Sequence, residues 1–143
     1  VILYGRTTFE LMQFWQSLII NPSEDISMNE FAKAIDIIPK IVFSRTLKNT
    51  GWDSAELADQ PIEKLLIELK EQPGNDILIG SPSLIVTLTQ LGLIDEYQLC
   101  VHPVLAGGGL PLFKGINGKR ILKLIKTKTF GSGATLLYYQ SLR

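Results

Sequence analysis

Two arginines lie in segments whose residue types favour phosphate binding. Arg6 stands in the segment Gly5-Arg6-Thr7, and Arg45 stands in the segment Ser44-Arg45-Thr46. A planar guanidinium group matches the paired oxygens of a phosphate, and neighbouring hydroxyl groups add hydrogen bonds. A third segment, Gly80-Ser81-Pro82-Ser83, has the same small and hydroxyl-bearing composition without a cation.

Each of these segments follows a short apolar run that is typical of a buried strand, and two of the three lead straight into a helix. The runs are Val1–Tyr4, Lys40–Ser44 and Asp76–Ile79. Right-handed crossovers between parallel strands place the three ends on one edge of a sheet, where open α/β sheets bind ligands. Helix N-termini there present free N–H groups and a positive dipole end. Glycines and hydroxyl residues also serve turns and caps in every α/β protein, and no GxGxxG or P-loop pattern is present.

The rest of the chain supplies helices first and strands last. Capping boxes predict helix starts at Thr7 with Glu10 and at Ser27 with Glu30. Further predicted elements are a turn-like stretch over 46–54, a helix from Pro61 to Gln72, a helix from Ser81-Pro82 to Leu91, an extended segment over Tyr97–Leu105, and two strands around Gly131-Ser132-Gly133. The order predicts an α/β fold with a mostly parallel central sheet, flanked by helices and completed by a C-terminal antiparallel hairpin.

Composition narrows the class of protein. The 143 residues are 45% hydrophobic with a formal net charge of zero, which suits one domain over 1–143 and disfavours nucleic acid as a partner. No apolar run reaches the length of a membrane span, so no membrane partner is expected. The single cysteine and single histidine cannot form a zinc site or an internal disulfide, which favours a cytoplasmic setting. The chain opens on strand-like residues without methionine, which suggests that the N-terminal part of the fold is missing.

Several individual residues have plainer interpretations. We expect His102 to be a structural core histidine and Cys100 to be a small buried hydrophobe. The cationic run from Lys119 to Lys128 is expected to be solvated. The loop Gly107–Gly109 fits ligand contact and simple chain bending equally well.

The chain resembles the dihydrofolate reductase superfamily, on the branch of the riboflavin-biosynthesis reductases. The opening VILYGRTTFE is similar to a segment of the form GR-T-[YFW]-E, and Ile79-Gly80-Ser81 takes the place of the second glycine-rich turn. The stretch from Gly92 to Phe113, GLIDEYQLCVHPVLAGGGLPLF, looks like the most specific motif of that branch. The similarity runs through nearly the whole chain in the right order.

The resemblance implies an NADPH-dependent reductase that transfers hydride to a C=N bond of a pteridine- or pyrimidine-like small molecule. The relatives include 5-amino-6-(5-phosphoribosylamino)uracil reductase and dihydrofolate reductase. The cofactor-binding residues that it implies are Gly5, Arg6, Thr7, Ser44, Arg45, Thr46, Gly80, Ser81, Ser83 and Leu84. The family's substrate-side acid would precede this chain, so no catalytic acid is assigned.

Two features of the family concern alternatives to an active reductase and the oligomeric state. Dihydrofolate reductases carry a cis Gly-Gly bond in the second turn, whereas Ser81 and Pro82 stand here. This departure leaves open a second hypothesis, a non-catalytic nucleotide-binding or dimer-forming domain of the same fold. A third hypothesis is a generic α/β domain without a nucleotide site. Members of this branch commonly form homodimers, for which Val101–Leu105 is a candidate interface.

Overall fold

The computed structural model describes residues 1–142 and divides the chain into two compact units. The first unit spans Val1–Leu84, and the second unit begins at Ile85. The prediction of a single domain therefore stays a prediction. No helix in the described part of the chain is both long enough and apolar enough to cross a membrane.

The first unit contains a parallel sheet of four strands in the order β3-β2-β1-β4. Each pair of neighbours is parallel, as the alternation of strands and helices predicted. The strands are β1 (Ile2–Gly5), β2 (Lys40–Phe43), β3 (Ala55–Leu57) and β4 (Leu78–Ile79). The helices are α1 (Arg6–Ile20), α2 (Ile26–Ile37), α3 (Ile62–Glu71) and α4 (Pro82–Gln90), the last of which continues into the second unit.

An aromatic cluster fixes the start of α1 on the parallel sheet. Phe9 is fully buried, and its ring centroid lies 6.4 Å from that of Tyr4 and 6.1 Å from that of Trp52. Rings at such separations bury large apolar areas in a preferred geometry. Because Tyr4 is the next-to-last residue of β1 and Phe9 lies in the first turns of α1, this packing holds the strand-to-helix junction in place.

A buried lysine joins α2 to the sheet. Lys40 is 1% exposed, and its Nζ donates to the carbonyl oxygens of Ile35 and Ile38 at 2.6 and 2.7 Å and to Ser54 Oγ at 2.8 Å. The ammonium also lies 4.2 Å from the centroid of the Trp52 ring. Lys40 therefore caps the end of α2, because it donates to the Ile38 carbonyl and shares the Ile35 carbonyl with the backbone N–H of Ile38.

The second unit contains an antiparallel sheet of three strands in the order β5-β7-β6. The strands are β5 (Glu96–Val101), β6 (Leu122–Thr129) and β7 (Thr135–Ser141). The predicted hairpin around 131–133 is confirmed, and Gly133 there has a φ of +83°, which favours glycine. The hairpin pairs with β5 in its own sheet, whereas the sequence predicted one mostly parallel sheet.

A β-bulge in β6 places three lysines on one face of this sheet. The pairing with β7 shifts between Leu124 and Lys126, so Ile125 is the extra residue. Lys123, Lys126 and Lys128 then lie opposite alternate residues of β7, namely Gln140, Tyr138 and Leu136. Directly opposed residues project to the same face, so the lysines form one cationic row.

Both predicted capping boxes are wrong. Gly5 is the N-cap of α1 and makes no side-chain cap bond, and Glu10 pairs with Arg6 instead of capping with Thr7. Asp25 is the N-cap of α2, where its carboxylate accepts from the Ser27 N–H at 2.8 Å. The Asp25 carboxylate reaches this N–H from two residues upstream, so Ser27 lies inside the helix.

The expected burial of Cys100 and His102 is also wrong, since both residues are exposed. Their Sγ and Nε2 atoms lie 3.7 Å apart near the end of β5. The expected solvation of the cationic run is confirmed by the exposure of its lysines. Among residues 1–142, no group of three histidine, cysteine or carboxylate side chains could hold a metal ion.

Candidate functional site

The carboxyl ends of the four parallel strands form one edge of the first unit. Gly5 lies opposite Phe43 across the β1–β2 pair, and Leu3 lies opposite Ile79 across the β1–β4 pair. The residues after each strand therefore emerge side by side. The predicted meeting of three strand ends is confirmed, and we call this region the carboxyl edge.

A hydrogen bond connects the ends of β1 and β4. The backbone N–H of Gly5 donates to Ser81 Oγ at 2.8 Å, and Ser81 is 1% exposed. Gly5 is in an extended conformation, with φ −79°, that any residue can adopt. A Cβ on Gly5 would lie 3.4 Å from Ser83 Oγ, which is an ordinary contact, so the two strand ends approach closely without requiring glycine at this position. No peptide bond in residues 1–142 is cis, and the bond between Gly80 and Ser81 is trans.

The N-terminus of α1 opens at the carboxyl edge without a side-chain cap. Its N-cap residue Gly5 has no side chain to offer, and the first turn contains no acidic residue. The first N–H groups of a helix lack intrahelical partners and carry part of the positive end of its dipole. Arg6 and Thr7 begin this turn, and both side chains are exposed. This end of α1 has the chemistry that attracts an anion.

Arg6 connects the first turn of α1 to the loop after β2. Its Nε donates to Glu10 Oε1 at 2.7 Å, and its Nη1 donates to Thr46 Oγ1 at 2.6 Å. Glu10 thus balances part of the charge of Arg6 and orients its guanidinium group. Sequence reasoning missed this role of Glu10, although its spacing of four residues from Arg6 is the signal for such a pair.

Ser44 shapes the loop in which Arg45 lies. Its Oγ accepts from the N–H groups of Thr46 at 3.2 Å and Leu47 at 2.9 Å, which closes a tight turn after β2. The Arg45 side chain is exposed and has no hydrogen-bond or ion-pair partner among residues 1–142. It lines a shallow cavity of about 330 Å³ with Phe43, Ser44, Ala58 and Gln60.

Ala58 and Gln60 are additions that the sequence did not suggest. They follow β3, a strand of three residues that begins directly after the stretch predicted to be turn-like. The Ala58 N–H donates to the Val42 carbonyl at 2.9 Å, which holds this segment beside the end of β2. Leu84, which the resemblance implied at the cofactor, is only 9% exposed and belongs to the apolar core.

The RibD C-terminal domain family matches residues 1–136 of this chain. The chain belongs to this family. The RibD C-terminal domain described here is 38% identical over 139 residues to the uncharacterized protein YyaP of Bacillus subtilis, a match that covers 96% of this chain and 72% of YyaP. It is 35% identical over 74 residues to the uncharacterized protein YwjB of the same organism, which covers 51% of this chain and 42% of YwjB.

Two solved structures share the fold of this RibD C-terminal domain. A putative riboflavin biosynthesis protein from Shewanella sp. PV-4 aligns with a TM-score of 0.71 and 22% identity, over 99% of this chain and 73% of that protein. A pyrimidine reductase-like protein from Corynebacterium diphtheriae aligns with a TM-score of 0.59 and 15% identity, over 100% of this chain and 76% of that protein. These likenesses show that the chain has the α/β fold of these two proteins.

Two features of this RibD C-terminal domain are suited to bind an anionic ligand at its carboxyl edge. One is the uncapped start of α1, and the other is the unpartnered guanidinium of Arg45 beside a cavity. The Arg6–Thr46 hydrogen bond connects the end of β1 to the end of β2, and the Gly5–Ser81 hydrogen bond connects it to the end of β4. This arrangement has the charge and the hydrogen-bond donors that suit an anionic ligand.

Proposed function

We propose that this domain is an NADPH-dependent reductase that transfers hydride to a C=N bond of a pteridine- or pyrimidine-like substrate. The observation that carries the proposal is the uncapped N-terminus of α1, which begins with Arg6 and lies beside the Arg45-bearing loop on the same sheet edge. Membership of the RibD C-terminal domain family and the reductase-like fold support it. The proposed cofactor site also includes Gly5, Thr7, Ser44, Thr46, Gly80, Ser81, Ser83 and the buried Leu84.

The residues present fit the phosphates of a dinucleotide. The pyrophosphate would accept from the N–H groups at the start of α1, which has no side-chain cap and no acidic residue in its first turn. Arg6 is already oriented by Glu10 and Thr46, so little side-chain entropy would be lost on binding. Bound NADPH would supply the hydride, and the domain would hold the dinucleotide and exclude water from it.

Arg45 is the residue that we assign to the 2′-phosphate. Its guanidinium has no partner in the described part of the chain, while that of Arg6 is partly neutralised by Glu10. A phosphate beside the Arg45 cavity would gain a charge-assisted hydrogen bond that NADH cannot make. Selection for NADPH over NADH should therefore depend on Arg45 more than on Arg6.

A titration with the two cofactors tests this assignment. We would measure the binding of NADPH and NADH to the wild type and to Arg45→Ala by calorimetry. Loss of a charge-assisted bond predicts NADPH binding about tenfold or more weaker, with NADH nearly unchanged. Lys48→Ala, which removes the same charge from an exposed residue in the same loop, is the matched control and should change neither constant by more than about twofold.

The results of this titration distinguish a reductase from a non-catalytic nucleotide-binding domain and from a domain without a nucleotide site. Equal losses for both cofactors in Arg45→Ala would refute the 2′-phosphate role, and no binding of either cofactor would refute the nucleotide site. NADPH binding without oxidation in the presence of pterin or aminouracil substrates would leave a non-catalytic nucleotide-binding domain. Oxidation of NADPH that depends on one of these substrates would establish the reductase and identify its substrate class.

A homodimer in a reducing cytoplasm is part of the same proposal. Val104 and Leu105, at the segment expected to form the interface, are 71% and 103% exposed. The exposed thiol of Cys100 is compatible with a compartment that keeps thiols reduced. Chain mass in solution and localisation of a tagged full-length protein test these two points.

A further inference from the structure

The second unit contains a cavity that has no part in the proposed cofactor site. Its volume is about 210 Å³, and it lies between the last turn of α4, the start of β5 and the outer ends of β6 and β7. Thr89, Tyr97 and Arg120 supply polar groups to its wall, and Leu122 and Leu142 are among its apolar neighbours. We call it the α4 cavity.

Two buried hydroxyl groups in the wall form a hydrogen bond with each other, and one O–H proton has no acceptor within that pair. Thr89 and Tyr97 are 5% and 8% exposed, and Thr89 Oγ1 lies 2.9 Å from Tyr97 Oη. Only one of the two O–H groups can donate within that pair, and residues 1–142 provide neither hydroxyl with another hydrogen-bond partner. The remaining O–H group can therefore donate to a water molecule or to a ligand atom in the cavity.

Arg120 supplies positive charge at the same cavity. Its Nη2 donates to the Gln90 carbonyl at 3.4 Å, which offsets the negative end of the α4 dipole and leaves other N–H groups of the guanidinium free to bind a ligand. From Ile85 onward the sequence has seven lysines and arginines and two carboxylates. An acceptor that enters this cavity is therefore favoured to be anionic.

We propose that the α4 cavity binds a short-chain monocarboxylate. One carboxylate oxygen would accept from the free hydroxyl of the Thr89–Tyr97 pair, and the other would accept from Arg120. The apolar tail would lie against Leu122 and Leu142. Because a water molecule takes about 30 Å³ in the liquid, the cavity holds a ligand of fewer than about ten heavy atoms.

Binding of butyrate to ¹⁵N-labelled full-length protein tests the proposal. We expect saturable shifts of the Gly92, Leu122 and Ser141 amide resonances, weaker shifts with the neutral butyramide, and none with butylammonium. Arg120→Gln should weaken butyrate binding about tenfold or more. Lys119→Gln removes the same charge from the adjacent residue, which does not line the cavity, and should leave binding unchanged.

A second variant keeps the test valid if Arg120→Gln fails to fold. The double change of Thr89→Val and Tyr97→Phe removes both hydroxyl groups and keeps the side-chain volumes, and it should also weaken butyrate binding. Three results would overturn the proposal: no saturable shift in the wild type, equal losses in Arg120→Gln and Lys119→Gln, or a preference for butylammonium. None of these results depends on cofactor binding by the first unit.

Discussion

The backbone N–H of Gly5 reaches across 76 positions of sequence to the hydroxyl oxygen of Ser81, at 2.8 Å. This bond joins the last residue of β1 to the residue that precedes α4. The carboxyl edge therefore depends on a contact between two parts of the sequence that neither segment reveals by itself.

Replacing Ser81 with alanine should destabilise the first unit. The change removes the acceptor of the partly buried Gly5 N–H from the buried Ser81 position, which costs about 1–3 kcal/mol of unfolding free energy. Chemical denaturation would measure this loss. Ser132→Ala, in the exposed hairpin turn, loses only a long bond of 3.4 Å from the Ala134 N–H, should change stability by less than about 0.5 kcal/mol and is the control. Equal effects of the two variants would contradict the assigned role of Ser81.

Replacing Glu10 with glutamine should strengthen NADPH binding. Glutamine keeps an oxygen that can accept from Arg6 Nε, but it removes the carboxylate charge that repels a phosphate. At low salt we expect affinity to rise about two- to fivefold, with the gain disappearing as salt screens the charges. Calorimetry at two ionic strengths would measure this change. Glu24→Gln, an exposed change on the loop before α2, should have no effect, and weaker binding by Glu10→Gln would show that the charged form is required.

Replacing Lys40 with methionine should lower the unfolding free energy by about 2 kcal/mol or more, because the Ile38 carbonyl and Ser54 Oγ lose the ammonium as donor and the Ile35 carbonyl keeps only the Ile38 N–H. The exposed α2 residue Lys33 provides the control, and Lys33→Met should be nearly neutral. Urea titrations of both variants at neutral pH would give the comparison.

The same residue should also make stability depend on pH. Burial lowers the pKa of Lys40 below its ordinary value of 10.5, so the folded protein releases this proton at lower pH than the unfolded chain. Between the folded pKa and 10.5 the unfolded state binds more protons, and wild-type stability should rise with pH relative to Lys40→Met. Burial raises the pKa of Tyr4 above 10.0, so the comparison belongs below about pH 10, where Tyr4 is protonated in both states. A stability difference that stays constant as the pH rises would contradict the assignment.

A charge at Leu105 should separate the proposed homodimer. Leu105 is fully exposed, and aspartate at an apolar interface must lose its hydration on association. Light scattering coupled to size-exclusion chromatography should show a dimer for the wild type and a monomer for Leu105→Asp. The exposed α1 residue Leu11 offers a control, since Leu11→Asp should remain a dimer. A monomeric wild type would refute the interface.

The sequence predicted the features that depend on local chemistry or on chain order. The hairpin at 131–133 follows from glycine spacing, and the shared strand edge follows from the alternation of strands and helices. The sequence did not predict the features in which one side chain has two possible partners or in which a strand forms only through pairing with its neighbour. Glu10 could bind either a backbone N–H or Arg6, and the structure gives the pair with Arg6. The three residues of β3 carry little strand signal and become a strand only through pairing with β2.

The bulge at Ile125 gives β6 one position from which a residue can be removed without changing the pairing of the other residues with β7. Lys123 and Lys126 project to the same side of the sheet because Ile125 adds a residue between them without a partner in β7. Deleting Ile125 would restore regular alternation and leave every lysine on its present side. Deleting Thr127 would instead reverse the alternation of the residues on one side of the deletion, so that the lysines would no longer share one face. A deletion of one residue in this strand should therefore preserve the lysine row at position 125 and break it at position 127.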